Sequence, residues 1–180
     1  MLREIPLPAQ SGGRVPAPVD LFLREAARRT AAYFESGGAR RAPKFVPSDP
    51  LAVYDALVAI RRTLRSPPRP RFVEWGSGMG AAACLASLAG YDAAGVELDA
   101  ELVACATSLA ADQRIEARFH SADIFQPGIE QQTREAAVVF AYPWPLESER
   151  WTRRFDTLAA PGALLLTFEG IDELHLYRKT

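Results

Sequence analysis

The sequence is short of the residues that metal and thiol chemistry need. It has two cysteines and two histidines in 180 residues. Cys84 and Cys105 fall on different expected helices, no C-x-x-C occurs, and His120 and His175 stand apart. That spacing argues against a zinc site and for two free, buried thiols. Long apolar runs are missing too: the longest, such as GALLLTF, are strand-sized, too short for a membrane-spanning helix. The first residues lack a basic-then-apolar leader pattern, so a cytoplasmic protein is expected. A chain of this length, 48% hydrophobic and 24% charged, supports one core and one domain, and a two-domain dehydrogenase would be cramped. Net charge is also small, at −1, yet unevenly placed: residues 1–71 carry 13 basic against 6 acidic side chains, and residues 72–180 carry 8 against 16. The basic part is a candidate surface for an acidic protein or nucleic acid, or simply a set of solvated helix faces.

What is present falls into two textures. Residues 1–19 are rich in Pro, Gly and Ser and predict a flexible arm. Asp20 then offers an N-cap to a helix with Leu21, Phe22, Ala26, Thr30 and Phe34 on one face, stopped by Gly37 and Gly38. Asp49 caps a second helix with Pro50 in its first turn and Leu51, Tyr54, Val58 and Leu64 at helical spacing, and SPPRPR ends it. From Arg71 short apolar runs alternate with helix-length segments, the pattern of βαβ units. Strands are expected near 71–75, 93–97, 115–119, 136–141 and 163–168, helices near 79–89, 99–112 and 147–159, and ELHLYRK reads as one more short strand. The expected organisation is an arm over 1–19, a helical cap over 20–66 and a sheet domain over 67–180.

The first strand runs into a glycine loop, RFVEWGSGMG. Read over Gly76, Gly78 and Ala81, it fits a dinucleotide fingerprint, in which a helix N-terminus approaches a pyrophosphate. Glu97 ends the second strand 19 residues beyond Gly78, where a carboxylate can accept from both hydroxyls of an adenosine ribose in either reading. Glu74 separates the ligands better. An acid inside a strand is costly to bury without a partner, and a cationic ligand would supply one where a pyrophosphate would be repelled. Pairing with an arginine from 61–71 is the structural alternative. Asp123 follows the third strand, where it reads either as an acceptor for an adenine amino group, with Ala122 or Ile124 giving backbone contacts, or as an ordinary loop aspartate. The fourth strand leads into Tyr142-Pro143-Trp144-Pro145, whose prolines stiffen the turn.

Taken in order, VEWGSGMG, GVELD, SADIF, FAYPWP and PGALLLTFEG resemble the successive motifs of the class I, Rossmann-like S-adenosyl-L-methionine (SAM)-dependent methyltransferases over about residues 43–178. The resemblance implies an α/β three-layer sandwich with a mostly parallel sheet in the order 3-2-1-4-5, a short extra strand, and two preceding helices. It implies SAM as cofactor, held by Glu74, Gly76, Ser77, Gly78, Gly80, Glu97, Leu98, Asp123, Ile124 and Tyr142. The segment KFVPSDP resembles a piece that in several branches lines the cofactor or substrate entrance, which adds Phe45 and Ser48. Methyl transfer would then take place at Tyr142, Pro143 and Trp144, with no metal and no dedicated acid or base.

Two departures bear on that reading. Where amino-group methyltransferases of the family carry an Asn or Asp first in the fourth-motif turn, this chain carries Tyr142. Tyr142 and Trp144 therefore read either as an aromatic wall favouring a cation or as a plug at the sheet edge. The tail after the fifth strand is also too short for a helix and an antiparallel hairpin, which leaves residues 20–65 to build the substrate face. The acceptor is not identified by the sequence. A SAM-binding module without catalysis is the alternative, and an NAD(P)-dependent reductase, which lacks any Tyr-x-x-x-Lys pair here, comes third.

Overall fold

The structure is a computed structural model and describes residues 1–9, 14–65, 67–144, 146–169 and 173–180. Its elements run β1 (Leu2–Ile5), α1 (Ala17–Glu35), α2 (Gly38–Arg41), α3 (Pro50–Thr63), β2 (Arg71–Trp75), α4 (Ala81–Leu88), β3 (Asp92–Glu97), α5 (Ala100–Asp112), β4 (Ala117–Ser121), α6 (Glu130–Glu135), β5 (Val138–Ala141), α7 (Ser148–Leu158), β6 (Leu164–Glu169) and β7 (Glu173–Lys179). The sheet has seven strands in the order β4-β3-β2-β5-β6-β7-β1. Strands β2 to β6 are parallel, and β7 and β1 complete the edge antiparallel.

Period-two alternation divides the core between the two faces of the sheet. Phe72, Val138, Phe140, Leu164, Leu166 and Phe168 pack with Val53, Leu57 and Ile60 of α3 and Ala82, Ala83 and Ala86 of α4. Val73, Trp75, Val139, Ala141 and Leu165 pack on the opposite face with Phe155 and Leu158 of α7. Helix α1 lies outside the first layer, its Val19 and Phe22 packed with Leu85 of α4 and Leu109 of α5. Helix α3 starts as its sequence predicts: the Asp49 carboxylate accepts from the Leu51 and Ala52 amides at 2.9 and 3.1 Å, and Pro50 takes the first turn.

The N-terminal expectations need correction. Leu2–Ile5 is a strand, paired with β7 in a register that sets Leu2 against Lys179 and Ile5 against Leu176. Local composition reads as loose, but β7 offers an unpaired edge, and the ladder supplies what the segment cannot provide alone. The Asp156 carboxylate binds both Lys179 and the Met1 amine, which together hold it below the usual carboxylate range. Helix α1 begins at Ala17, with Pro16 before it and Asp20 inside its first turn. Three helices rather than two precede the parallel strands, because Gly37, at φ +88°, turns the chain into the short α2. The Gln10-to-Gly13 part of the expected arm lies outside the described residues.

Candidate functional site

The parallel sheet reverses its winding between β2 and β5, since β3 and β4 lie on one side of β2 and β5 to β7 on the other. Ligands of open α/β sheets bind beyond the carboxyl ends of the strands at such a point. Here a cavity of about 420 Å³ opens there, floored by Glu74, Gly76, Ser77, Phe140 and Tyr142 and roofed by α1 and the 45–50 segment. Glu74, Phe140 and Tyr142 meet there because Glu74 alternates with Phe72 along β2, while Phe140 and Tyr142 are two apart along β5 and its exit.

Glu74 is 6% exposed. Its Oε2 accepts from the Ala83 amide at 2.8 Å, on the first turn of α4. Burial pushes this carboxyl up to about 8. The Ala83 N–H acts against the shift, and the nearby Glu97 charge adds to it. Of the five arginines in 61–71 that might have paired with it none does, and three have other partners. Arg61 donates to the Leu64 and Pro68 carbonyls, Arg69 binds Glu116, and Arg71 binds Asp92 and Glu135.

The glycine loop is closed on itself. Gly76 and Ser77 amides donate to the Val96 carbonyl at 2.8 and 3.0 Å, Gly80 N–H to the Ser77 carbonyl at 2.7 Å, and Gly78 N–H to Glu97 Oε2 at 2.8 Å. The other Glu97 oxygen accepts from the Asp99 amide at 3.0 Å. Glycine is required at Gly78 and Gly80. Both have positive φ, and a Cβ would lie 2.4 Å from the Phe45 ring at the first and 2.5 Å from the Phe119 ring at the second. These amides are thus committed within the protein, and two carboxylates stand beside them. A phosphate site presents free N–H groups, and these four are taken. The Ser77 hydroxyl, 4% exposed, has no hydrogen-bond partner among the described residues and lies along the cavity wall.

Of the remaining expected residues, Phe45 and Ser48 line the cavity with Tyr142. Tyr142 packs on Phe168 at 5.1 Å between ring centroids. Pro143 is buried behind it. Trp144 turns outward, 45% exposed, and its indole N–H donates to the Lys44 carbonyl at 3.1 Å. One ring rather than two therefore faces the cavity. Pro145 lies outside the described residues. Leu98 is exposed beside Glu97. Asp123 Oδ1 accepts from the Phe125 amide at 2.8 Å, and Ile124 is buried with its carbonyl taken by Arg154. These three, with Glu97, lie outside the cavity lining. Cys84 is buried, its thiol pushed up to about 12, and Cys105 is half-buried. No helix among the described residues is long and apolar enough to cross a membrane.

Sequence reasoning missed the roof. Leu23, Ala27 and Ala31 of α1, with Pro47 and Met79, reach the cavity. The available signal was the run of small residues beside the Phe22 face, which suits a helix standing over an opening as well as one packed on a sheet.

No protein-family model matches the chain, and no curated protein matches it. Solved structures do. An RNA methyltransferase from Salinibacter ruber in complex with S-adenosyl-L-homocysteine is 22% identical, with a TM-score of 0.59 over 75% of this chain and 93% of that one. A SAM-dependent methyltransferase from Geobacter sulfurreducens, also in complex with S-adenosyl-L-homocysteine, is 18% identical, with a TM-score of 0.52 over 70% and 51%. One from Clostridium acetobutylicum is 11% identical, with a TM-score of 0.54 over 77% and 56%. The chain has the class I methyltransferase fold. It spans about half the length of the Geobacter and Clostridium proteins.

Proposed function

We propose that this chain is a SAM-dependent methyltransferase. The observation that carries the reading is Glu74: a buried carboxyl beside a glycine loop, four of whose amides are already taken, suits a cation better than a pyrophosphate. The residues fit the cofactor. Glu74 would take its ammonium group, the Ser77 hydroxyl has an acceptor and a donor to spare, and the Glu97 oxygens keep lone pairs for ribose hydroxyls beyond the two amides they hold. Leu98, Asp123 and Ile124 would flank the adenine. Bound SAM supplies an electrophilic methyl on a sulfonium. The protein's part is to align the acceptor, exclude water and place the Tyr142 ring beside the transfer point. In this reading residues 20–66 are a cap that builds the substrate side of the 67–180 domain, and the protein works in the cytoplasm. Calorimetry is the test: S-adenosyl-L-homocysteine should bind with one-to-one stoichiometry and NAD(P) should not, and the reverse result overturns the reading.

Two variants probe the site. Glu97→Ala should weaken S-adenosyl-L-homocysteine binding by about 1.5–3 kcal/mol through lost charge-assisted bonds. It also strips the Gly78 and Asp99 amides of their acceptor, so the unfolding midpoint in urea should fall as well. Unchanged binding at full stability would remove this acid from the site. Tyr142→Ala leaves the loop and Glu97 intact. Once an acceptor is known, kcat should fall far more than cofactor affinity, whereas an unchanged kcat assigns Tyr142 to packing on Phe168 and favours the SAM-binding module without catalysis.

The uneven charge gives an acidic acceptor no support. None of Arg40, Arg41, Lys44, Arg61, Arg62 and Arg65 lines the cavity. Arg41 binds Glu101 at 3.0 Å, Lys44 binds Glu147 at 3.0 Å, and Arg61 is held by backbone carbonyls.

A further inference from the structure

The cavity has two ends of different chemistry. The floor at the glycine loop carries Glu74 and the Ser77 hydroxyl, and the roof carries almost nothing polar. Helix α1 presents Leu23, Ala26, Ala27, Thr30, Ala31 and Phe34 along it, the i, i+3, i+4 spacing of a single helical stripe. The charges of α1 are engaged off this stripe. Arg24 pairs with Asp20, Glu25 with Arg28 and Arg29, and Arg29 reaches Asp112 of α5. Phe45 stacks on Phe34 at 5.6 Å between ring centroids and the Met79 thioether lies 3.8 Å from the Thr30 hydroxyl, so both extend the stripe, while the rings of Phe140 and Tyr142 line the floor. No Lys, Arg or His is among the described lining residues, and the sole carboxylate is Glu74.

Resting on the methyltransferase reading, we propose that the acceptor is a small, uncharged, largely apolar molecule with an aromatic ring, held beneath the roof formed by α1 and the 45–50 segment. The cavity of about 420 Å³ includes the Glu74 and Ser77 end given to the cofactor, and the acceptor takes the remainder beneath the roof, lined as small-molecule sites are by apolar and aromatic side chains. Aromatic rings and a methionine suit a planar, polarisable guest. A polynucleotide needs cations along its path to neutralise phosphate, and this lining offers none. The mouth matches the interior in one residue: Val46 of the lining is 49% exposed. An apolar molecule therefore meets apolar surface before it enters. In the transfer, the acceptor's nucleophilic atom supplies the electron pair of the new bond to carbon. The pair of the broken carbon–sulfur bond stays on sulfur, and the acceptor's proton leaves to water.

The test uses the full chain with 2-naphthol as probe, followed by its fluorescence with and without saturating S-adenosyl-L-homocysteine. Saturable one-to-one binding is expected in the presence of S-adenosyl-L-homocysteine. Ala27→Phe and Ala31→Phe, both at exposed positions on the stripe, should each fill the groove. They should weaken 2-naphthol at least tenfold while the S-adenosyl-L-homocysteine dissociation constant stays within twofold, and circular dichroism confirms that each variant is folded. A 20-nucleotide single-stranded RNA, followed by anisotropy at low salt, should not compete with 2-naphthol. If S-adenosyl-L-homocysteine binds and 2-naphthol does not, or if 2-naphthol ignores both substitutions, the acceptor assignment falls and the methyltransferase reading stands. RNA that binds and is weakened by the same substitutions overturns the assignment in favour of a nucleic-acid acceptor. If S-adenosyl-L-homocysteine itself fails to bind, both readings fall.

Discussion

Replacing Glu74 by glutamine should weaken S-adenosyl-L-homocysteine at least about thirtyfold, since removing one partner of a buried charge pair costs roughly 2–5 kcal/mol. The parent's binding should depend on pH in a way the variant's does not. With the free carboxyl at about 8, the site must lose a proton before it takes an ammonium group. Affinity should therefore fall about tenfold per unit as pH drops below that value, and fall again at higher pH as the ligand's own α-ammonium loses its proton. Calorimetry in buffers of different ionisation enthalpy should register close to one proton released near pH 6, with the release shrinking as pH rises towards 8. Stability moves the same group in the opposite sense. Its folded pKa lies above the unfolded value of 4.5, so the folded state keeps a proton that the unfolded chain loses. That contribution is complete below about pH 4.5 and is lost as pH rises to about 8, at close to 1.4 kcal/mol per unit inside the window. Urea midpoints measured from pH 5 to 8 should converge between parent and variant at the acid end, with Glu74→Gln the more stable at pH 8. Parallel pH profiles would remove the buried carboxyl from both arguments.

Gly80→Val should be the most damaging single change in the loop. The residue has φ +80°, and a Cβ there would meet the Phe119 ring at 2.5 and 2.6 Å and the Ala106 Cβ at 2.8 Å. The Phe119 atoms are the outer end of a half-buried ring and can give, but the Ala106 Cβ is fully buried and fixed to the backbone of α5. Backbone strain of about 1–2 kcal/mol adds to overpacking of about 1–3 kcal/mol. A loss of roughly 3–5 kcal/mol is expected in the denaturation midpoint, against a smaller loss for Gly80→Ala. A variant as stable as the parent would mean that α5 and β4 can shift apart at no cost.

Four of the five parallel strands were legible because each is a short, mostly apolar run bounded by turn residues and buried in the sheet, whereas the edge strand β4, ARFHS, has no fully buried residue and lies two positions beyond the expected 115–119. The need of Glu74 for a partner was legible on the same physical ground, a charge inside a strand. Its Ala83 amide was not, because a hydrogen bond from the following helix leaves no trace in residue type. The same holds for Glu97, which spans Gly78 and Asp99: its position was readable, but not its use as a brace between two loops. The sequence puts Leu21, Phe22, Ala26, Thr30 and Phe34 on one face of α1; Leu21 instead points to solvent, 63% exposed, and the rest of the face is double. Phe22 goes to the core, while Leu23, Ala27 and Ala31 go to the cavity roof, and alanine suits either surface. The outward turn of Trp144 was hidden because its partner, the Lys44 carbonyl, lies 100 residues away.

The pairing of β1 with β7 gives the molecule a seam. Thr180 donates its amide to the Met1 carbonyl at 3.0 Å, so the two most distant parts of the chain must meet before this edge exists. Closing so long a loop is entropically costly and slow compared with zipping neighbouring βαβ units. The parallel core has no need of the seam for its own hydrogen bonds, which makes the β1–β7 edge the last part to assemble and the first to open. Amides of Leu2–Ile5 should exchange with solvent at a lower opening free energy than those of β2 and β5, as a separate cooperative unit. While open, the seam leaves β7 bare, a strand edge available to another chain, so self-association on mild heating should start there rather than in the sheet centre.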